Sequence, residues 1–149
     1  MPPPRVDFYV SEDAGEATRL KLACRVVEKA YLARQRVLVF CDDAALLPRV
    51  DEMLWTFGDG SFVPHDVVTR DGAACEAPVA LTAGPLPAEA GEVLINLGTV
   101  VPAFHGKFER IAEFLDGRPE VRAAGRERFK SYRSQSIEPQ THKVEPRPV

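Results

Sequence analysis

Apolar and polar residues alternate over residues 5–10, RVDFYV, where Val6, Phe8 and Val10 are separated by Arg5, Asp7 and the amphipathic Tyr9. A period of two predicts a strand. Over residues 16–34 the period lengthens: Leu20, Cys24, Val27, Ala30 and Tyr31 recur at helical spacing, and basic residues gather in the last turn, as the helix macrodipole favours. RVLVFC at 36–41 is short, β-branched and almost wholly apolar, which marks a strand covered on both faces. Strand, helix and strand in that order make a βαβ unit.

Asp42 and Asp43 follow, placed to cap a helix that carries Leu46, Leu47, Val50, Met53 and Leu54. Pro48 delays the regular helix to about Leu47, because a proline past the first turn removes a backbone bond; the helix should stop before Gly58. SFVPHDVV at 61–68 reads as extended around Pro64. PVALT at 78–82 and EVLINL at 92–97 read as strands, and the Gly- and Pro-rich stretch between them as a surface loop. Phe104, Phe108, Ile111 and Leu115 predict an amphipathic helix over 103–115. Gly117 and Pro119 separate it from a last helix over 119–134. Beyond Ser136 too few apolar residues remain to pack. The expectation is one α/β domain over residues 1–135, three-layered and doubly wound around a mostly parallel or mixed central sheet, with 136–149 as a flexible tail.

Composition narrows the class. With 149 residues, 45% apolar and 28% charged, the chain has an ordinary globular make-up. It shows no signal-peptide segment and no apolar run of membrane-spanning length, so a cytoplasmic protein is expected. Cys24, Cys41 and Cys75 lack metal or disulfide spacing. The first two fall in apolar segments and are expected to be buried, and Cys75 falls in a loop. The formal net charge is −3, yet residues 118–133 carry six basic groups against Glu120 and Glu127, a balance of +4 that leaves about −7 for the remainder. Such polarity disfavours general nucleic-acid coating and favours one localised anionic partner.

Catalytic signatures are missing. The chain has neither a phosphate-binding G-x-x-x-x-G-K-[ST] loop nor G-x-G-x-x-G, and no G-x-S-x-G elbow. His65, His105 and His142 stand near no nucleophile at a recognisable spacing. Asp42 and Asp43 lie where a strand's carboxyl end could hold a metal, but helix capping accounts for them. The expectation is a protein without catalytic residues, metal or cofactor.

The last helix carries more. In RERFKSYR, residues 126–133, and the turn before it, Arg122, Arg126, Phe129, Lys130 and Arg133 share one helical stripe, with Val121, Gly125 and Tyr132 on an adjacent stripe suited to the sheet. The plainer reading is a solvated basic face, with Trp55 in the core. The sharper one is an apolar pocket rimmed by cations, with Phe129 helped by Trp55 and Phe62. Such a pocket suits an acidic peptide that ends in a hydrophobic residue with a free carboxylate, which Arg holds well through its planar fork. The same arginines could instead meet single-stranded nucleic acid directly, with Phe129 stacking on bases.

FYV in the first strand, RVLVFCDD in the second, DEMLW followed by SFVPH, then EVLINL and RERFKSYR together resemble the chi subunit family of bacterial DNA polymerase III holoenzyme. The likeness runs from about Arg5 to Arg133. It implies a doubly wound fold without a nucleotide site and a non-catalytic accessory subunit of the clamp-loader assembly. Such a subunit binds the acidic C-terminal tail of single-stranded-DNA-binding protein and joins the clamp loader through the psi subunit, meeting DNA only indirectly. By the same resemblance Arg126 faces the terminal carboxylate, Trp55, Phe62 and Phe129 form or flank the apolar pocket, and Lys130 and Arg122 attract the acidic residues upstream. Phe129 stands where tyrosine is common in the family, which keeps the ring and removes one hydroxyl.

Overall fold

The computed structural model describes residues 3–56, 62–89 and 91–144. In chain order the elements are β1 (Arg5–Ser11), α1 (Glu16–Leu32), β2 (Val37–Phe40), α2 (Leu47–Thr56), β3 (His65–Val68), β4 (Val79–Thr82), β5 (Val93–Asn96), a 3₁₀ turn (His105–Lys107), β6 (Arg110–Leu115), α3 (Pro119–Ser134) and β7 (Gln140–Val144). The seven strands form one sheet in the order β3-β4-β2-β5-β6-β1-β7. Every pairing is parallel.

Alternation along the central strands splits the core in two. Val37 and Val39 of β2, Val93 and Ile95 of β5, and Ala112 and Phe114 of β6 face α1 and α2, where Leu20, Val27, Val50 and Leu54 cover them. Leu38, Phe40, Leu94 and Ile111 face the other way, with Phe8, Phe108 and Tyr132. Helices therefore lie on both faces, α1 and α2 on one and α3 on the other. This is the expected three-layer doubly wound arrangement, with a sheet that is parallel throughout. Cys24 and Cys41 are buried, and burial pushes each thiol up to about 12. Among the described residues no helix is long and apolar enough to cross a membrane.

Three sequence expectations need correction. The helix expected over 103–115 is a 3₁₀ turn followed by β6. Phe108, Ile111 and Leu115 do share one core, which produces the helical spacing, but Ala112 and Phe114 are buried on the opposite side as a strand requires. Glu113 completed the amphipathic disguise: it is a wholly buried acid in mid-strand.

The segment expected as a tail carries β7, paired in parallel with β1 from Asp7↔Gln140 to Ser11↔Val144. Apolar packing comes from Ile137 and Pro139, buried just before it, and from Val144 at its end. Backbone pairing and side-chain contacts add to the hold on this edge strand: His142 Nε2 donates to Asp7 at 2.8 Å, and its ring stacks on Tyr9 at 5.1 Å. Residues 145–149 lie outside the described residues.

Asp42 and Asp43 do not cap α2. Asp43 Oδ1 accepts from the Ala45 N–H at 2.9 Å in a turn ahead of the helix. Asp42 Oδ2 accepts from the Thr99 N–H and hydroxyl at 2.8 and 2.7 Å, tying the loop after β5 to the end of β2. The expected end of α2 before Gly58 and most of the turn leading to Phe62 fall on residues 57–61, outside the described residues.

Candidate partner-binding site

The site is built from the carboxyl ends of β1 and β6 upward. Asp116, fully buried just after β6, is clamped by Arg118 through Nε at 2.9 Å and Nη2 at 2.8 Å. Burial pushes its carboxyl up, but the bonds from Arg118 and the Gly15 N–H outweigh this and hold it below the ordinary value. Gly117 passes so close to the loop after β1 that an added Cβ would collide with the Glu12 carbonyl oxygen. Pro119 then opens α3, its missing N–H costing nothing in the first turn.

Gly125, Arg128 and Tyr132 form the inward face of α3. A Cβ on Gly125 would come within 2.5 Å of Leu115 Cδ2, so the glycine lets the helix settle on β6. Arg128, one of the six basic groups of residues 118–133 but outside the basic stripe, is only 3% exposed. Its Nε donates to Glu113 Oε1 at 2.9 Å and its Nη1 to the Thr99 carbonyl at 3.2 Å. The Tyr132 hydroxyl and Asn96 Nδ2 donate to Glu113 Oε2 at 2.7 and 2.9 Å. Burial raises the Glu113 carboxyl above its ordinary value against the pull of these donors, and raises the Tyr132 hydroxyl as well. The ion pair seats α3 on the sheet. The sequence signal for it was an acid inside an apolar run, which partners 15 to 19 residues away explain.

The outward face differs. Arg126 is exposed and makes no hydrogen bond or ion pair among the described residues. Lys130 is exposed beside Glu127 at 3.4 Å, and Arg133 beside Glu138 at 3.5 Å, pairs of little strength at such exposure. Phe129 is half-buried, its ring 5.3 Å from that of Phe8; with Val10 and Val121 it forms an apolar strip over the second core. Arg122 is half-buried and directed at backbone: Nε donates to the Asp116 carbonyl at 2.8 Å and Nη2 to the Ser11 carbonyl at 3.1 Å.

Trp55 and Phe62 do not join this group. Trp55 lies in the last turn of α2, on the opposite face of the sheet and towards the β3 edge. It is 45% exposed rather than core, and its ring lies 5.0 Å from that of Phe62, itself 62% exposed. His65, 4.3 Å from the Trp55 ring and 2.8 Å from Asp51 Oδ1, supports the pair from β3. A cavity of about 250 Å³ lined by Arg49, Glu52, Met53 and Thr56 opens on the same helix. The six residues expected to share one pocket thus divide into a basic, partly apolar face on α3 and an aromatic patch on α2 and the approach to β3. His105 and His142 are held in structural contacts, His105 by the Pro102 carbonyl and Gln135. No group of three or more His, Cys, Asp or Glu side chains among the described residues is placed to hold a metal.

The family model described as DNA polymerase III chi subunit, HolC, matches residues 4–140. The chain is 39% identical to DNA polymerase III subunit chi of Pseudomonas aeruginosa over 140 residues, covering 94% of this chain and 96% of the relative. It is 31% identical to the protein of that name from Escherichia coli over 115 residues, covering 76% and 77%, and 27% identical to that from Haemophilus influenzae, covering 92% and 95%. With α3 and its buried seat inside the matched span, the chain belongs to the DNA polymerase III chi subunit family.

Proposed function

We propose that the chain is a non-catalytic adaptor of the replicative polymerase in the cytoplasm. In this reading α3 binds the acidic C-terminal tail of single-stranded-DNA-binding protein, and the chain links that protein through psi to the clamp loader. The observation that carries the reading is Arg126: an exposed cation with no hydrogen bond or ion pair among the described residues, beside the half-buried ring of Phe129 and one turn from Lys130, on a chain of net charge −3. Arg126 takes the terminal carboxylate, the Phe129 strip takes the last apolar side chain, and Lys130 attracts the acidic residues before it.

A short disordered tail gives up chain entropy on docking, so the contact is modest, on the order of micromolar, and exchanges fast. Several tails on one multimeric DNA-binding protein raise the effective concentration and restore residence. Two partners require two surfaces. The Trp55–Phe62 patch, exposed on the other side of the sheet, is the surface left for the psi subunit.

Fluorescence polarisation with a labelled acidic peptide ending in Ile-Pro-Phe and a free carboxylate tests the tail contact. Saturable binding to the wild type that Arg126→Ala abolishes with the fold intact supports it; no binding at low salt overturns it. A gel shift with bare oligonucleotide separates the nucleic-acid alternative, which requires binding without any tail.

A further inference from the structure

Arg122, Arg126 and Lys130 occupy equivalent positions along the helix at i, i+4 and i+8, and spacing alone gives all three the same task. Their surroundings do not. β1 and β6 stay in register to Val10↔Leu115. One residue further, the carbonyls of Ser11 and Asp116 have run past the last paired rung between these strands. The Arg122 guanidinium donates to both, at 3.1 and 2.8 Å, and so continues the ladder by one rung with a side chain from the first turns of α3. Ser11 and Asp116 are themselves buried, which fixes both acceptors in place.

We propose that Arg122 is a positioning residue of the α3 site: it staples the start of the helix to the ends of β1 and β6 and sets where Arg126 and Phe129 stand, rather than meeting the ligand's acidic residues. The proposal rests on the tail reading and redistributes the roles within it. A planar fork reaches two carbonyls at once; a lysine ammonium carries the same charge without that geometry. Charge and shape can therefore be separated by substitution.

The test measures tail-peptide affinity for the wild type, Arg122→Lys and Arg122→Gln over ionic strengths of about 0.05–0.5 M, with circular-dichroism melts to confirm folding and amide exchange over residues 117–124. The staple requires Arg122→Lys to weaken binding about three- to tenfold, the share of a lost charge-assisted bond that reaches a neighbouring site. It also requires faster exchange at the helix start. In both variants the salt dependence must match the wild type, because no charge facing the peptide has gone. Wild-type affinity in Arg122→Lys with a weaker, less salt-dependent Arg122→Gln would identify a direct cation and overturn the proposal, as would unchanged binding in both. If Arg122→Lys does not fold, the salt dependence of Arg122→Gln alone decides. If the wild type binds no peptide, the tail reading fails first, and exchange at the helix start still decides whether Arg122 is a staple.

Discussion

The two surfaces that carry aromatic residues are built on opposite terms. Beneath α3 lie buried charges: Glu113 against Arg128, and Asp116 against Arg118, each pair with further donors. What α3 shows outward is a row of cations around one half-buried ring. Trp55 rests against Phe62 and His65 at the edge of the sheet, α2 is seated by the aliphatic side chains of Val50 and Leu54, and the patch itself is largely apolar and exposed. The first surface suits a charged, mobile ligand held in a set orientation; the second suits a partner that removes apolar area from water. Buried polar networks of the first kind are costly unless complete, which makes α3 the more fragile of the two regions.

Arg128→Ala should expose that fragility most. It leaves Glu113 buried without its cation, and breaking such a pair costs about 3–5 kcal/mol; chemical denaturation should show the loss, accompanied by failure of tail binding. Gly125→Val attacks the same seat by steric means. Its side chain must displace Leu115, already within 2.5 Å of a Cβ at that site, and overpacking of this kind costs about 1–3 kcal/mol. Equivalent truncation of Trp55 should leave the melting temperature nearly unchanged.

Acid separates the carboxylates by sign. Burial pushes Asp7 up, but bonds from His142, Arg5 and Arg110 outweigh it and lower its value in the fold; Asp116 behaves likewise. Their contribution is complete above the unfolded carboxylate range and is lost as pH falls through about 4 and below. Glu113, raised by burial, contributes with the opposite sign. The melting temperature should therefore decline below about pH 4. Asp7→Asn should lower it by a few degrees at neutral pH and make the acid decline shallower, with β7 exchanging faster.

The smallest expected effect sharpens the contrast between the surfaces most. Trp55→Ala and Phe62→Ala should leave tail-peptide affinity within about twofold, the scatter expected for sites without shared contacts, while weakening capture of psi. A tail-binding loss in either variant would join what the fold separates.

The sequence was most legible where periodicity and burial agreed. Residues 5–56 read as strand, helix, strand and late-starting helix because each apolar pattern reports the buried face of one element, or both faces in β2. Legibility failed where a side chain's partner lies far along the chain. Glu113 looked like the polar side of a helix because Arg128 and Tyr132 come 15 and 19 residues later. Arg128 entered only the local charge count for the same reason. β7 had no apolar pattern to show, since its hold is a backbone ladder and a bond across 135 residues. The division of Trp55 from Arg126 lies in the winding: from β1 the chain moves across the sheet to β3, and from β3 it moves back towards β7, which places later crossings on the opposite face. No local pattern records that reversal.

Mapping amide shifts in a ¹⁵N-labelled sample titrated with the acidic Ile-Pro-Phe peptide tests the central claim most directly. Shifts confined to Val10 of β1 and residues 118–133, and lost in Arg126→Ala, are the expected result. Shifts centred on Trp55 and β3, or spread equally over both faces, would contradict a tail site built on α3.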